Sequence, residues 1–149
     1  MSTAFFSLKS PRDMLEKAKR ERSRLEESLT IDNVFNFFVT ARHIVDYAKN
    51  GSQIPLAAIE KLAQDTDHKA LCDVGDMGKH LLLTKPKTGA SPVASRKGTH
   101  FFTSPFGTVP FGDIKYEWEL IVGGQEIVLF EFADRVLEKW ETLLSSYGL

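Results

Sequence analysis

The spacing of apolar residues along the chain divides it into helical stretches followed by one stretch of strand. Leu15, Ala18, Leu25 and Leu29 recur at helical intervals on a narrow stripe. The segment Ser10-Pro11-Arg12-Asp13 just before them supplies a capping hydroxyl, a first-turn proline and an acidic residue at the positive helix end. The rest of that helix is densely charged. Glu16–Arg20, Lys17–Glu21 and Arg22–Glu26 sit at i,i+4, so the run 17–24 reads as a solvated face rather than a basic patch.

A second cap at Thr30-Ile31-Asp32-Asn33 opens a helix expected over 33–49, with Val34, Phe37, Phe38, Ala41, Val45 and Ala48 on one side. Asn50-Gly51 is expected to end it, glycine taking a left-handed conformation at little cost. Pro55 starts a short helix through Ala63. A fourth helix is expected over 67–83, burying Leu71, Val74, Gly78 and Leu81, with Gly75 and Gly78 forming a notch for a close neighbour. Residues 84–98, rich in Lys, Pro, Gly, Ser and Thr, read as a mobile loop.

From Ile114 the period falls to two. Tyr116, Trp118, Leu120 and Val122 alternate with Lys115, Glu117 and Glu119. Gly123-Gly124 suits a tight turn, so 114–130 reads as a β-hairpin, with Phe101 and Phe102 as candidates for a third strand. The final helix, 131–146, carries Phe132, Ala133, Val136, Leu137, Trp140, Leu143 and Leu144 on one face. The expected fold is mainly α, a helical bundle with a small antiparallel β-hairpin or sheet before the C-terminal helix. All of 1–149 is expected to form one domain.

Composition narrows the class. The chain has 149 residues, 42% hydrophobic and 26% charged, which suits one folded core. The single cysteine, Cys72, excludes an internal disulfide and a Cys-rich metal knuckle. No apolar run approaches the ~20 residues of a membrane span, and residues 1–9 lack the basic and apolar regions of a signal peptide. A cytoplasmic location with no membrane partner is therefore expected. A formal net charge of −1 gives no general attraction to nucleic acid. Phosphate-cradling and dinucleotide-binding glycine loops, a His-Glu-x-x-His helix and a Gly-x-Ser-x-Gly elbow are absent, and no cofactor is indicated.

The most informative polar segment is Asp73-Val74-Gly75-Asp76-Met77-Gly78-Lys79-His80. Asp73, Asp76 and His80 share a narrow helical sector with Lys69, and Asp76 lies one turn before His80, where a carboxylate orients or charges an imidazole. The same trio has the chemistry of divalent-metal ligands, and equally that of an ordinary solvated face. On the second helix Asn36, Thr40, His43 and Tyr47 line one edge. His43 would meet His80 if the two helices pack side by side, or else His43 and Tyr47 bond structurally. His80, Asp76 and His43 are thus candidate catalytic residues, and Asp73, Lys79 and Tyr47 candidate binding residues. Cys72 reads as a small helix-interface residue, Trp118 and Trp140 as core, and His68 and His100 as boundary or loop residues.

The pattern Phe37-Phe38-Val39-Thr40-Ala41-Arg42-His43, followed by the Asp-rich helix ending Lys79-His80, resembles bacterial proteins related to the HEPN superfamily over roughly residues 30–83. The resemblance implies a small helical bundle, often dimeric, with a polar helix ending in a functional histidine. It also implies membership of a group containing metal-independent ribonucleases of toxin–antitoxin and phage-defence systems together with non-catalytic relatives. In the catalytic pattern an arginine precedes the histidine by a few residues. Here Asp73, Val74 and Gly75 stand at those positions, and Asp73 would repel a scissile phosphate that arginine would hold. Of the catalytic positions only His80 carries over. The expectation is a non-catalytic interaction or regulatory domain, with RNA or a protein as partner. The alternative is a divergent hydrolase or ribonuclease using His80 with Asp76.

Overall fold

In the computed structural model of the chain, which describes residues 5–80, 87–95 and 117–149, local capping chemistry sets where the first two helices begin. Ser10 Oγ accepts from the Asp13 amide at 3.1 Å while Asp13 Oδ2 accepts from the Ser10 amide at 2.9 Å. This reciprocal capping box, with Pro11 in the first turn, starts α1 (Pro11–Glu27). Thr30 Oγ1 accepts from the Asn33 amide and starts α2 (Ile31–Arg42). The expected second helix is split. His43 Nδ1 bonds the Val39 carbonyl at 2.6 Å and its amide turns back to Thr40, so the chain breaks at His43 and resumes as α3 (Ile44–Gly51). Gly51 remains inside α3 without a left-handed conformation. The end is made by Ser52, whose Oγ donates to the Ala48 carbonyl at 2.7 Å.

Pro55 precedes α4 (Leu56–Ala63), and α5 follows over Thr66–His80. The expected continuation of that helix to 83, including Leu81, lies outside the described residues. Strand β1 (Ser91–Ser95) occupies part of the segment expected to be a loop, which is a correction. It pairs antiparallel with β2 (Glu117–Val122), which pairs antiparallel with β3 (Gln125–Val128), giving the order β1-β2-β3. Pro92 is tolerated because β1 is an edge strand, where a missing amide donor breaks no ladder on the open side. The third strand is therefore 91–95, while Phe101, Phe102 and His100 lie outside the described residues, as do Ile114 and Tyr116.

Gly123 and Gly124 both take positive φ, 59° and 80°, as a two-residue hairpin turn requires. Helix α6 (Leu129–Ser146) begins two residues earlier than expected, within the returning strand's anticipated end. Its inward face holds Phe132, Val136, Trp140 and Leu144, which meet Leu15, Leu25, Phe37 and Leu71 in one core. Phe38 of α2 stacks on Phe132 of α6 at 6.0 Å between ring centres. The mainly helical fold with a small antiparallel sheet before the last helix is as expected. Among the described residues no helix is long and apolar enough to cross a membrane.

Two glycines set how α2 meets α5. A Cβ on Gly75 would lie 3.3 Å from Arg42 Cδ and 3.7 Å from the Phe38 carbonyl oxygen. A Cβ on Gly78 would lie 3.3 Å from Phe35 Cδ2. These residues form the expected notch, although Gly78 itself remains exposed at its edge. The pairing runs antiparallel, Arg42 beside Gly75 and Phe35 beside Gly78, and this register decides which candidate residues can meet.

Candidate functional site: a cationic cleft between α3 and α5

The residues singled out by the sequence are dispersed. Because α2 and α5 run antiparallel, His43 lies beyond Arg42 at one end of the pair and His80 beyond Phe35 at the other. Eight helical residues, about 12 Å, separate Phe35 from His43 along α2. Asp76 is bound by Arg42, with Nε to Oδ1 at 2.8 Å and Nη2 to Oδ2 at 3.3 Å, so this carboxylate serves an α2–α5 clamp. His80 and Lys79 are exposed at the end of α5, and neither makes an ion pair among the described residues.

Asp73 is not on a solvated face; it is 2% exposed. Its carboxylate accepts from the Lys87 amide at 3.0 and 2.9 Å, the Thr88 amide at 2.7 Å and the Thr88 hydroxyl at 2.8 Å. It is thus an anchor for the segment leading to β1. Tyr47 packs half-buried against the core. His43 Nδ1 is committed as a donor to a carbonyl, which can only accept. No group of three His, Cys, Asp or Glu side chains is placed to hold a metal ion among the described residues, so Asp73, Asp76 and His80 do not form a ligand set.

What the fold assembles instead is a cleft of about 560 Å³ between α3, the end of α4, α5 and Lys87. Its walls carry Arg42, Lys49, Lys69 and Lys87, with one carboxylate, Asp46, and its lining also includes His68 and Cys72. Arg42 is spoken for by Asp76. Lys49, Lys69 and Lys87 make no ion pair among the described residues. Lys69 has carboxylates one turn away on both sides, yet Asp65 bonds Lys139 Nζ at 2.7 Å and Asp73 holds Lys87 and Thr88. Both are diverted, and Lys69 makes no ion pair among the described residues.

His68 and Cys72, one turn apart on α5, approach at 3.7 Å between Nδ1 and Sγ. Burial, ahead of the nearby Lys87 ammonium, pushes the His68 imidazole down to about 4. Burial also pushes the Cys72 thiol up. Both are therefore neutral near pH 7, the reverse of the thiolate–imidazolium pair that makes a cysteine nucleophilic. The His68 ring meets the Trp140 indole edge-on at 5.6 Å, and its Nε2 is buried with no hydrogen-bond partner. The cleft presents positive charge, and its Cys72 is not a primed nucleophile.

No family model, curated protein or solved structure matches the chain. The site therefore stands on its own geometry. A second concavity, about 580 Å³ between α4 and α6, is lined by Ala58, Leu62 and Leu143. Its Arg135 and Lys139 are already bound to Asp67 and Asp65, and of its cations only Lys61 makes no ion pair among the described residues, against three lysines in the first.

The cleft is not visible in the sequence: His68 reads as a boundary residue, Lys69 as part of a polar helix face and residue 87 as part of a loop, and nothing local brings them together. The one available signal was negative: Lys87 follows a proline in a stretch with no carboxylate near it.

Proposed function

We propose that this chain is a non-catalytic binding domain of HEPN-like plan that associates with RNA through the α3–α5 cleft. The observation that carries the reading is the grouping, around one concave site with a single carboxylate, Asp46, of three ammonium groups that make no ion pair among the described residues, on a chain whose net charge is −1. Concave, low-dielectric walls focus such a field and favour an anionic ligand. Lysine is a strongly hydrated point charge that suits phosphate. The hydrolase alternative draws no support from its residues: Asp76 is held by Arg42, and His80 stands at the exposed helix end without a carboxylate partner.

The test is fluorescence anisotropy with labelled single-stranded RNA across a salt series. Wild type is expected to bind with affinity falling as salt rises, by about 0.7 log units per tenfold salt for each phosphate engaged. The double variant Lys49→Glu/Lys69→Glu is expected to bind at least about tenfold more weakly, whereas Arg20→Glu on the exposed face of α1 is expected to bind as wild type. RNA affinity unaltered by the double reversal would sink the proposal.

A further inference from the structure

We infer that the cleft recognises a terminal phosphomonoester, a compact dianion, in preference to the internal diesters of an extended strand. The inference deepens the binding reading above and rests on it for the site.

The distribution of charge is the first support. An extended strand needs a track of cations, and the face where α1 meets α6 supplies none: Arg12 and Lys19 are bound to Glu141, and Arg22 to Asp134. The unpaired lysines that line a common cavity are Lys49, Lys69 and Lys87, and Asp46 stands among them. A phosphomonoester carries about −1.5 to −2 charges at pH 7, so one group satisfies several ammonium ions at a single point. A diester brings one charge per residue, so at the same point it satisfies fewer of the three ammonium groups.

Size is the second support. About 560 Å³ falls within the range of pockets that enclose a small ligand, and accommodates a phosphate with its adjoining sugar and base. The third is His68, which is 4% exposed and lines the cleft as a neutral ring, so it adds no competing charge.

The geometry also assigns a positioning residue. Lys87 owes its place to Asp73, whose carboxylate takes both the Lys87 and Thr88 amides. Asp73 lies in helix α5 and never needs to touch the ligand; it fixes the backbone that carries one of the three ammonium groups.

The experiment uses the full chain and one short RNA sequence prepared with a 5′-phosphate, with a 3′-phosphate and with hydroxyl ends. Inorganic phosphate and a nucleoside monophosphate serve as competitors. One phosphate-ended RNA is expected to bind at least about tenfold tighter than the hydroxyl-ended form, about 1.4 kcal/mol. That preference is expected to vanish in Lys87→Ala, which is exposed and leaves the fold intact, and to shrink in Asp73→Asn. Should Asp73→Asn unfold, Lys87→Gln carries the same comparison. Equal binding of all three RNAs overturns this inference and leaves the RNA reading standing. Binding of the monophosphate without any oligonucleotide keeps the phosphomonoester site and overturns the RNA reading. Binding of none of these ligands overturns both.

Discussion

Where α1 meets α6, Arg12 and Lys19 share Glu141 at 2.6 and 2.7 Å, and Lys19 also takes Glu16 at 2.8 Å. Arg22 grips Asp134 with Nε and Nη2, its guanidinium lying over the Phe130 ring at 4.7 Å. Between α5 and α6, the buried Asp67 receives Arg135 twice and Lys139 once. Around the α3–α5 cleft Arg42 is paired with Asp76, but Lys49, Lys69 and Lys87 make no ion pair among the described residues. Glu141 is held well below the usual carboxylate range by the Arg12 and Lys19 side chains, so the first region is already neutralised by its own partners. The second keeps three lysines without an ion pair among the described residues, against the single carboxylate Asp46. Matched charges register one helix against another; unmatched charges around a cavity serve no packing role, and that contrast underlies the binding role proposed for the cleft.

The two regions meet at Trp140, which is fully buried in the core and touches His68 at the cleft's lining. Trp140→Ala is expected to have the largest effect, about 3–5 kcal/mol, as large aromatic truncations in cores do. Urea unfolding followed by circular dichroism measures it. A midpoint unchanged by the substitution would mean that α5 and α6 do not share this core.

The next effect depends on pH. The folded His68 titrates at about 4, below its ordinary value near 6.5, so the unfolded chain binds the proton more readily between those values. Stability is fully present above about pH 6.5 and is lost as pH falls toward 4, by about 3 kcal/mol from this group. Unfolding free energies measured from pH 7 to pH 5, above the range where Glu141 and the other paired carboxylates contribute, test this against His68→Phe, which is expected to remove most of the slope there. An identical slope in the variant would place the acid sensitivity elsewhere.

The sequence's legible parts are those in which local chemistry decides. The Ser10–Asp13 capping box, the Gly123-Gly124 turn and the helical periodicity of α6 each depend on residues within a few positions of one another. Strand β1 was hidden because Ser-Pro-Val-Ala-Ser has no alternating pattern of its own and gains order by pairing with β2, some thirty residues away. The break at His43 was hidden because apolar periodicity continues through it, while one side chain–carbonyl bond interrupts the helix. At the candidate site the reasoning read Asp73 and Lys69 as one polar face. Tertiary structure divides them, burying Asp73 under residues 87–88 and leaving Lys69 on the cleft. Charge pairing at i,i+4 is visible in sequence, but its diversion to distant partners such as Lys139 is not.

The smallest effect is the sharpest test of the contrast between the regions. If Lys69 and Lys139 were equivalent surface lysines, truncating either would change stability equally little. Lys139 Nζ bonds both Asp65 and Asp67 at 2.7 Å, and Asp67 is 1% exposed, so Lys139→Ala takes a charged partner from a buried carboxylate. Its cost is expected at about 1–2 kcal/mol, below the full value for a buried pair because Arg135 still holds Asp67 and Lys139 is partly in water. Lys69→Ala removes an ammonium with no partner and relieves repulsion from Lys49 and Lys87. It is expected to leave stability within about 0.5 kcal/mol, with any change toward greater stability at low salt, where like charges repel most. Denaturant unfolding of both variants at low and high salt separates the cases. A loss in Lys69→Ala matching that in Lys139→Ala would show that Lys69 is already satisfied within the fold, and would leave the cleft only Lys49 and Lys87 to offer a ligand.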